Sequence, residues 1–294
     1  MATLSQWVAG ARPRTLPAAV APVVLGTAAA HLLGSADAAL AILALVVALS
    51  LQVGVNYAND YSDGIRGTDE ARVGPVRLVG QRLASPTNVR LAAFLSFAAA
   101  GVVGLALVGL SGAWLMLPLG ALAVLAAWRY TGGDNPYGYR GLGEVYVFVF
   151  FGLMATLGTL YTQAGTVSWF GVLGAVGVGA VASAILVANN LRDIPTDTEH
   201  GKQTLAVRLG DHRTRLLYVG LVAVSILMVL LMALSTPWAL LGLLAAPLGV
   251  RTGRRVLGET SGRDLVPVLA ATGLYEVAYA VLVALGVVVE VALR

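Results

Sequence analysis

The sequence predicts an all-α polytopic membrane protein with about nine transmembrane helices. Three observations carry this. Of 294 residues, 58% are hydrophobic and 12% are charged, with a mean hydropathy of +0.82; soluble domains run nearer ~25% charged. Several apolar runs exceed the ~20 residues that a spanning helix needs. The cations then sort to one side of the chain's predicted path. Open strands cannot span lipid, and the runs are too long and continuous for a barrel.

The apolar segments cover 15–34, 38–59, 87–110, 112–128, 143–162, 168–190, 213–234, 236–250 and 264–292. The first follows a basic Arg12/Arg14 pair and precedes Ser35-Ala36-Asp37-Ala38, faintly like a secretory leader. The chain continues as repeated spans, so the segment reads as the first of them. The second ends in NDYSDGIRG and the sixth in RDIPTDTEHG. The fourth and fifth are joined by a polar loop, Tyr130 to Glu144. The sixth carries Gly171, Gly174, Gly177 and Gly179, which suit close helix packing. The eighth is short and can extend to Leu257. The loop after it holds Arg251, Arg254, Arg255, Arg263 and Asp264, a basic, lipid-facing surface.

Nine spans place the N-terminus and connections 2–3, 4–5, 6–7 and 8–9 on one side. Of the 19 Lys and Arg, all but Arg294 fall there or at its membrane border. Span count and an N-inside orientation therefore support each other, and the working face is cytoplasmic. Asp37, Glu276 and Glu290 are the acids clearly elsewhere. No linker or soluble domain is visible, so 1–294 reads as one domain.

Composition also excludes chemistry. There is no cysteine, hence no disulfide, thiolate or Cys-based metal site. The three histidines, His31, His200 and His212, lack helical ligand spacing. A metal must be held by oxygen, which favours Mg²⁺ or a similar hard ion. The pI near 9.6 reflects cytoplasmic Lys and Arg rather than a nucleic-acid partner.

The two acidic segment ends echo each other. NDYSDGIRG runs on to VRLVGQR, and RDIPTDTEHG runs on to VRLGDHR. Asp60/Asp63 match Asp193/Asp197, Gly67 matches Gly201, and Arg77-Leu78 matches Arg208-Leu209. Two pseudo-repeated halves would each supply an acidic helix end and a basic loop, with acidic motifs at 59–69 and 189–202.

Asp60 and Asp63 are i and i+3, and Asp193 and Asp197 are i and i+4, so each pair shares a helix face. Pro195 should break or kink the second helix between its acids. A helix C-terminus disfavours anions, and each uncompensated charge near bilayer depth costs on the order of 3 kcal/mol. Salt bridges to Arg and Lys could offset this alone. The alternative is a divalent cation between carboxylates, with Arg66, Arg72, Arg77, Lys202 and Arg208 holding phosphate oxygens. Asn56, Asn59, Asn189 and Asn190 lie one or two turns deeper. They can complete a metal shell, hydrogen-bond a substrate, or bond between helices. In the 130–144 loop, Tyr130, Tyr137 and Tyr139 could stack on a cation, and Arg140 could pair with an anion; an interfacial aromatic belt would look the same.

The Asn59-Asp60-x-x-Asp63 and Asp193-x-x-x-Asp197 pair, each ending an apolar helix, resembles the UbiA superfamily of intramembrane aromatic prenyltransferases. Within it, NDYSDGIRGTD, RVGPVRLV, YTGGDNPYGYRGLGE and NNLRDIPTDTEHGKQTLAVRLG are similar to the branch acting on 1,4-dihydroxy-2-naphthoate (the MenA branch). ARPRTLPAAVAPVVLG and DLVPVLAATG fit too, so the likeness covers nearly the whole chain. One departure stands out. The superfamily often places a third acid four residues after Asp63; here that position is Gly67, with Asp69 two further on.

The resemblance implies a central cavity open sideways to lipid, and Mg²⁺ as cofactor (two ions, with Mn²⁺ as a substitute). Asp60, Asp63, Asp193 and Asp197 would hold the metal and carry catalysis, with Asn59 and Asp69 as further ligands. Arg66, Arg72, Arg77, Lys202 and Arg208 would grip the diphosphate of a polyprenyl donor. Asn56, Asn189, Asn190, Tyr130, Tyr139 and Arg140 would meet the acceptor or prenyl group. The naphthoate would be prenylated with loss of CO₂, giving demethylmenaquinol, in a prokaryotic plasma membrane with the N-terminus and active site cytoplasmic. Other acceptors (4-hydroxybenzoate, homogentisate, haem) fit the superfamily. A secondary transporter would show acids at the midplane, and an alcohol phosphatidyltransferase one dense acidic motif. Donor length and oligomeric state are left open.

Overall fold

The computed structural model describes residues 2–67, 76–258 and 260–294. The expected metal ligand Asp69 and the expected diphosphate-binding Arg72 lie outside the described residues.

The described residues form helices joined by turns and loops, with no strand among them. Helices run α1 (Leu4–Gly10), α2 (Pro17–Leu32), α3 (Ala38–Ile65), α4 (Pro86–Ser111), α5 (Met116–Arg129), α6 (Gly143–Val147), α7 (Ala155–Ala164), α8 (Trp169–Glu199), α9 (Leu205–Met232), α10 (Ala246–Leu257) and α11 (Val266–Leu293). A π-helical segment, Phe148–Met154, joins α6 to α7, and a 3₁₀ segment, Pro237–Ala245, leads into α10.

Polar side chains close helix starts where apolar runs begin. Asp37 accepts the Leu40 N–H at α3, Ser85 that of Asn88 at α4, Ser168 that of Gly171 at α8, and Thr204 that of Val207 at α9. Gly112 and Gly165, both left-handed, end α4 and α7.

Each predicted apolar segment is helical, but several bounds differ in ways that matter for the site. Helix α3 continues to Ile65, so Asp60 and Asp63 lie inside its last turns. Helix α8 runs through Pro195 to Glu199 instead of breaking there. The Thr196 and Thr198 hydroxyls bond the Asp193 and Ile194 carbonyls, which supports the backbone around the proline. Helix α9 starts at Leu205, well before the apolar run, and carries a non-helical Gly210 (φ 76°) where the basic stretch meets it.

Among the described residues, six helical stretches are long and apolar enough to cross a membrane, or seven if α1 and α2, bent by 50°, form one span; α5 is a shorter apolar helix. Helix α8 is the centre. Its apolar window is 78% buried, against 17–39% in the other five. The expected close approaches occur: Gly179 meets Gly152, Gly171 meets Leu160 and Gly177 meets Tyr279. Helices α2, α8, α9 and α11 share the main core, around Leu25, Val181, Tyr218 and Val283. A second cluster joins α3 and α4 through Tyr57, Leu78, Val79, Val89 and Phe97. The α3–α4 and α8–α9 pairs are the most extensively packed, and each begins with an acid-bearing helix.

Candidate active site at two acidic helix ends

One cavity of about 570 Å³ receives side chains from both acidic motifs. Asn56, Asn59, Asp63 and Arg77 line it from the first; Asn189, Asn190 and Lys202 line it from the second. It continues along α3 as far as Ala44, between Gly104 and Leu107 of α4, Met116 and Gly120 of α5, and Phe150 and Met154 of the π segment. From Asp63 to Ala44 the rise along α3 is about 28 Å. One end is therefore polar and charged, and the remainder is an apolar passage of membrane dimensions.

The four aspartates divide by what they touch. Asp60 is wholly buried, and both of its oxygens accept backbone N–H groups, from Leu78 (2.7 Å) and Val79 (3.0 Å). It does not line the cavity. Its direct effect is to tie the segment after the first motif to α3. Asp63, one turn on, does line the cavity, and its Oδ1 accepts the Tyr139 hydroxyl at 2.8 Å. Asp193 is gripped at 2.7 Å on each oxygen by Nε and a terminal nitrogen of the adjacent Arg192, which also donates to Asn189 Oδ1 at 2.8 Å. Asp197 Oδ1 lies 3.7 Å from Lys202 Nζ. Asp193 and Asp197 do not themselves line the cavity; their partners Asn189 and Lys202 do.

Tyr139 links the two motifs. Its hydroxyl holds Asp63, while its ring lies 4.9 Å from Lys202 Nζ and 5.3 Å from the Arg66 guanidinium carbon. Its carbonyl accepts the Gln203 N–H at 3.1 Å. The 130–144 loop thus bridges the acidic ends. Further along, Tyr137 stacks on Tyr146 (centroids 3.7 Å apart) and Tyr146 on Phe150 (6.0 Å), with Tyr130 tilted against Tyr137 (5.5 Å), in a row along the cavity wall. Burial pushes the Tyr137 phenol upward, and it donates to the Ala126 carbonyl at 2.9 Å.

The expected cations separate. Arg77 and Lys202 are buried and line the cavity. Arg66 does not: its guanidinium donates to the Thr131 and Gly133 carbonyls and stacks on Tyr139, fastening the loop to the end of α3. Arg208 is exposed and packs beside Gly141; Arg140 is exposed and outside the cavity.

The amides are partly committed to protein contacts. Asn59 Oδ1 accepts the Thr131 hydroxyl at 2.9 Å, Asn190 Nδ2 donates to Glu144 Oε1 at 2.9 Å, and Asn56 Nδ2 donates to Thr15 and to the Ala11 carbonyl. Sequence reasoning missed Arg12, Thr15, Gln52 and Thr131 in the cavity wall, and Arg192 and Glu144 behind it. Adjacency to Asp193 was the one available signal for Arg192.

The donor set is made of oxygens, with buried cations beside it, which suits a hard ion and a polyanionic ligand together. Among the described residues no three Asp, Glu or His side chains converge tightly enough to hold an ion by themselves. An ion here would need ligand oxygens as well.

Comparison with known proteins adds to this geometry. The UbiA prenyltransferase family profile matches residues 19–266. A Mycobacterium tuberculosis protein named 1,4-dihydroxy-2-naphthoate octaprenyltransferase is 57% identical over 284 residues, covering 97% of each chain. An Escherichia coli protein of the same name is 39% identical over 275 residues, 90% of this chain and 89% of its own. Among solved structures, a UbiA homolog from Archaeoglobus fulgidus bound to GPP and Mg²⁺ matches with TM-score 0.65 and 14% identity, covering 95% of this chain and 99% of its own. An apo UbiA homolog from Aeropyrum pernix K1 matches with TM-score 0.69 and 15% identity, covering 92% and 97%. The structural matches carry the fold.

Proposed function

Since the chain belongs to the UbiA prenyltransferase family, we propose that its cavity transfers a polyprenyl group from an allylic diphosphate to 1,4-dihydroxy-2-naphthoate. The ring carboxylate is lost, diphosphate is released, and demethylmenaquinol results for menaquinone biosynthesis. The observation that carries this is the shared cavity: amides and a cation from both motifs, with the Asp63 carboxylate, at one end, and an apolar passage beyond. The 57% identical relative with that activity in its name supports the acceptor.

Asn59, Asp63, Asp193 and Asp197 would hold Mg²⁺, which offsets charge on the leaving diphosphate when bound. The Mg²⁺- and GPP-bound homolog supports the choice of ion; two ions, and Mn²⁺ as a substitute, fit the paired motifs. Arg77 and Lys202 bind the diphosphate oxygens from the cavity wall. Tyr139 keeps Asp63 pointing at that end. Asp60 positions the chain after the motif instead of meeting the substrate. Asn56, Asn189, Asn190 and Tyr130 frame the acceptor, and the Tyr130–Tyr137–Tyr146–Phe150 stack presents ring faces to the developing allylic cation while excluding water. The prenyl tail follows the apolar passage.

We assign nine spans, with α1–α2, α5 and the Pro237–Leu257 helices completing the six longest, in a bacterial plasma membrane. All cations but Arg294 then face the cytoplasm, together with the site. Diphosphate release that depends on both a polyprenyl diphosphate and the naphthoate tests the assignment. Transport of either compound without diphosphate release would replace it.

A further inference from the structure

Arg12 reaches the cavity from outside both acidic motifs. Its backbone is left-handed (φ 54°, ψ 67°), which for a side-chain-bearing residue costs on the order of 1–3 kcal/mol. Among the described residues, Arg82 is the one other non-glycine with positive φ. A network holds this elbow. The Arg12 carbonyl accepts both the N–H and the hydroxyl of Thr15, each at 2.9 Å. Thr15 Oγ1 accepts Gln52 Nε2 at 2.8 Å and Asn56 Nδ2 at 3.0 Å, and Asn56 Nδ2 also bonds the Ala11 carbonyl at 2.9 Å. Two buried amides of α3 therefore clamp the chain on either side of Arg12.

The elbow lies just before the 50° bend between Leu4–Thr15 and Pro17–Leu32. Glycine would make the same turn without steric cost. Bearing the strain with arginine makes sense if the side chain has a use, and Arg12 lines the cavity with Asn59 and Asp63.

We propose that Arg12 forms the subsite for the carboxylate of the aromatic acceptor. This rests on the prenyl-transfer reading above. The reaction brings two anions to the cavity. Arg77 and Lys202 stand at the acidic ends, Lys202 beside Asp197. The Arg12 elbow is anchored at Asn56, about 10 Å along α3 from Asp63. The acceptor ring must lie beside the donor's first carbon and below the diphosphate, so a cation between those levels meets the ring's substituent. A planar guanidinium pairs with a carboxylate through two parallel hydrogen bonds, which fixes the ring's orientation as well as its affinity.

The test is Arg12→Gly and Arg12→Lys in the full-length protein, with KM measured separately for the naphthoate and for a polyprenyl diphosphate, and with thermal unfolding. Arg12→Gly should raise the naphthoate KM at least tenfold and leave the donor KM within twofold. Its unfolding midpoint should be unchanged or higher, because the strain is relieved. Arg12→Lys, keeping charge without the fork, should fall between. An unchanged naphthoate KM overturns the subsite, as does an equal rise in both KM values or a lowered midpoint with normal KM. A wild-type protein inactive on the naphthoate overturns the prenyl-transfer reading itself, which separates the two failures.

Discussion

The Tyr139 hydroxyl donates a 2.8 Å hydrogen bond to Asp63, a carboxylate that lines the cavity. The same ring touches Lys202, so one side chain from the middle of the sequence couples the two acidic motifs.

Tyr139→Phe deletes the hydroxyl and keeps the ring. A hydrogen bond to a charged group contributes about 1.5–3 kcal/mol. If part of that is lost in the transition state, kcat should drop roughly tenfold or more, with thermal stability little changed. Steady-state kinetics check this; wild-type kcat would mean that Asp63 needs no positioning.

Asp60→Asn and Asp63→Asn should differ in kind. Asp60 serves two backbone N–H groups in a buried site, and the amide can satisfy one of them with its single oxygen. About 1–3 kcal/mol of stability should go with it, seen as a lower unfolding midpoint alongside reduced activity. Asp63→Asn should keep the midpoint and lose activity by roughly a thousandfold, the scale on which a charge-stabilising group acts. A stable, inactive Asp60→Asn would show that Asp60 also meets the metal directly.

Arg77→Ala and Lys202→Ala should raise the KM for the polyprenyl diphosphate about tenfold, since truncating a charged hydrogen-bonding partner costs ~1.5–3 kcal/mol. Arg208→Ala and Arg140→Ala, both outside the cavity, should change it less than threefold. Arg66→Ala should act through the loop it fastens, lowering kcat and loosening protection of 130–133 in hydrogen exchange. Equal KM effects for all five would mean that the cavity wall does not mark the diphosphate subsite.

Much of this was legible in the sequence because hydrophobic length and charge sorting are one-dimensional signals. The helical segments and the acidic ends of α3 and α8 followed from spacing; a central cavity was what the family resemblance implied. The roles within the acidic set did not. Asp60 and Asp63 share a helix face by the i, i+3 rule, yet one meets the backbone of Leu78 and Val79 and the other the cavity. That choice depends on a returning chain no local pattern encodes. Arg66 and Arg208 looked like diphosphate ligands by composition, but Arg66 is taken up by loop carbonyls and Arg208 is exposed outside the cavity. Arg12 was visible as half of a basic pair, but its place in the cavity was not, since that depends on a left-handed elbow held by Gln52 and Asn56 from another helix.

The most direct measurement reconstitutes the purified protein in lipid vesicles with a polyprenyl diphosphate. It offers 1,4-dihydroxy-2-naphthoate and 4-hydroxybenzoate side by side, with Mg²⁺ and with a chelator. The account predicts a prenylated, decarboxylated naphthoate product that appears with Mg²⁺ alone. Prenylation of 4-hydroxybenzoate in its place, or undiminished turnover in chelator, would contradict it.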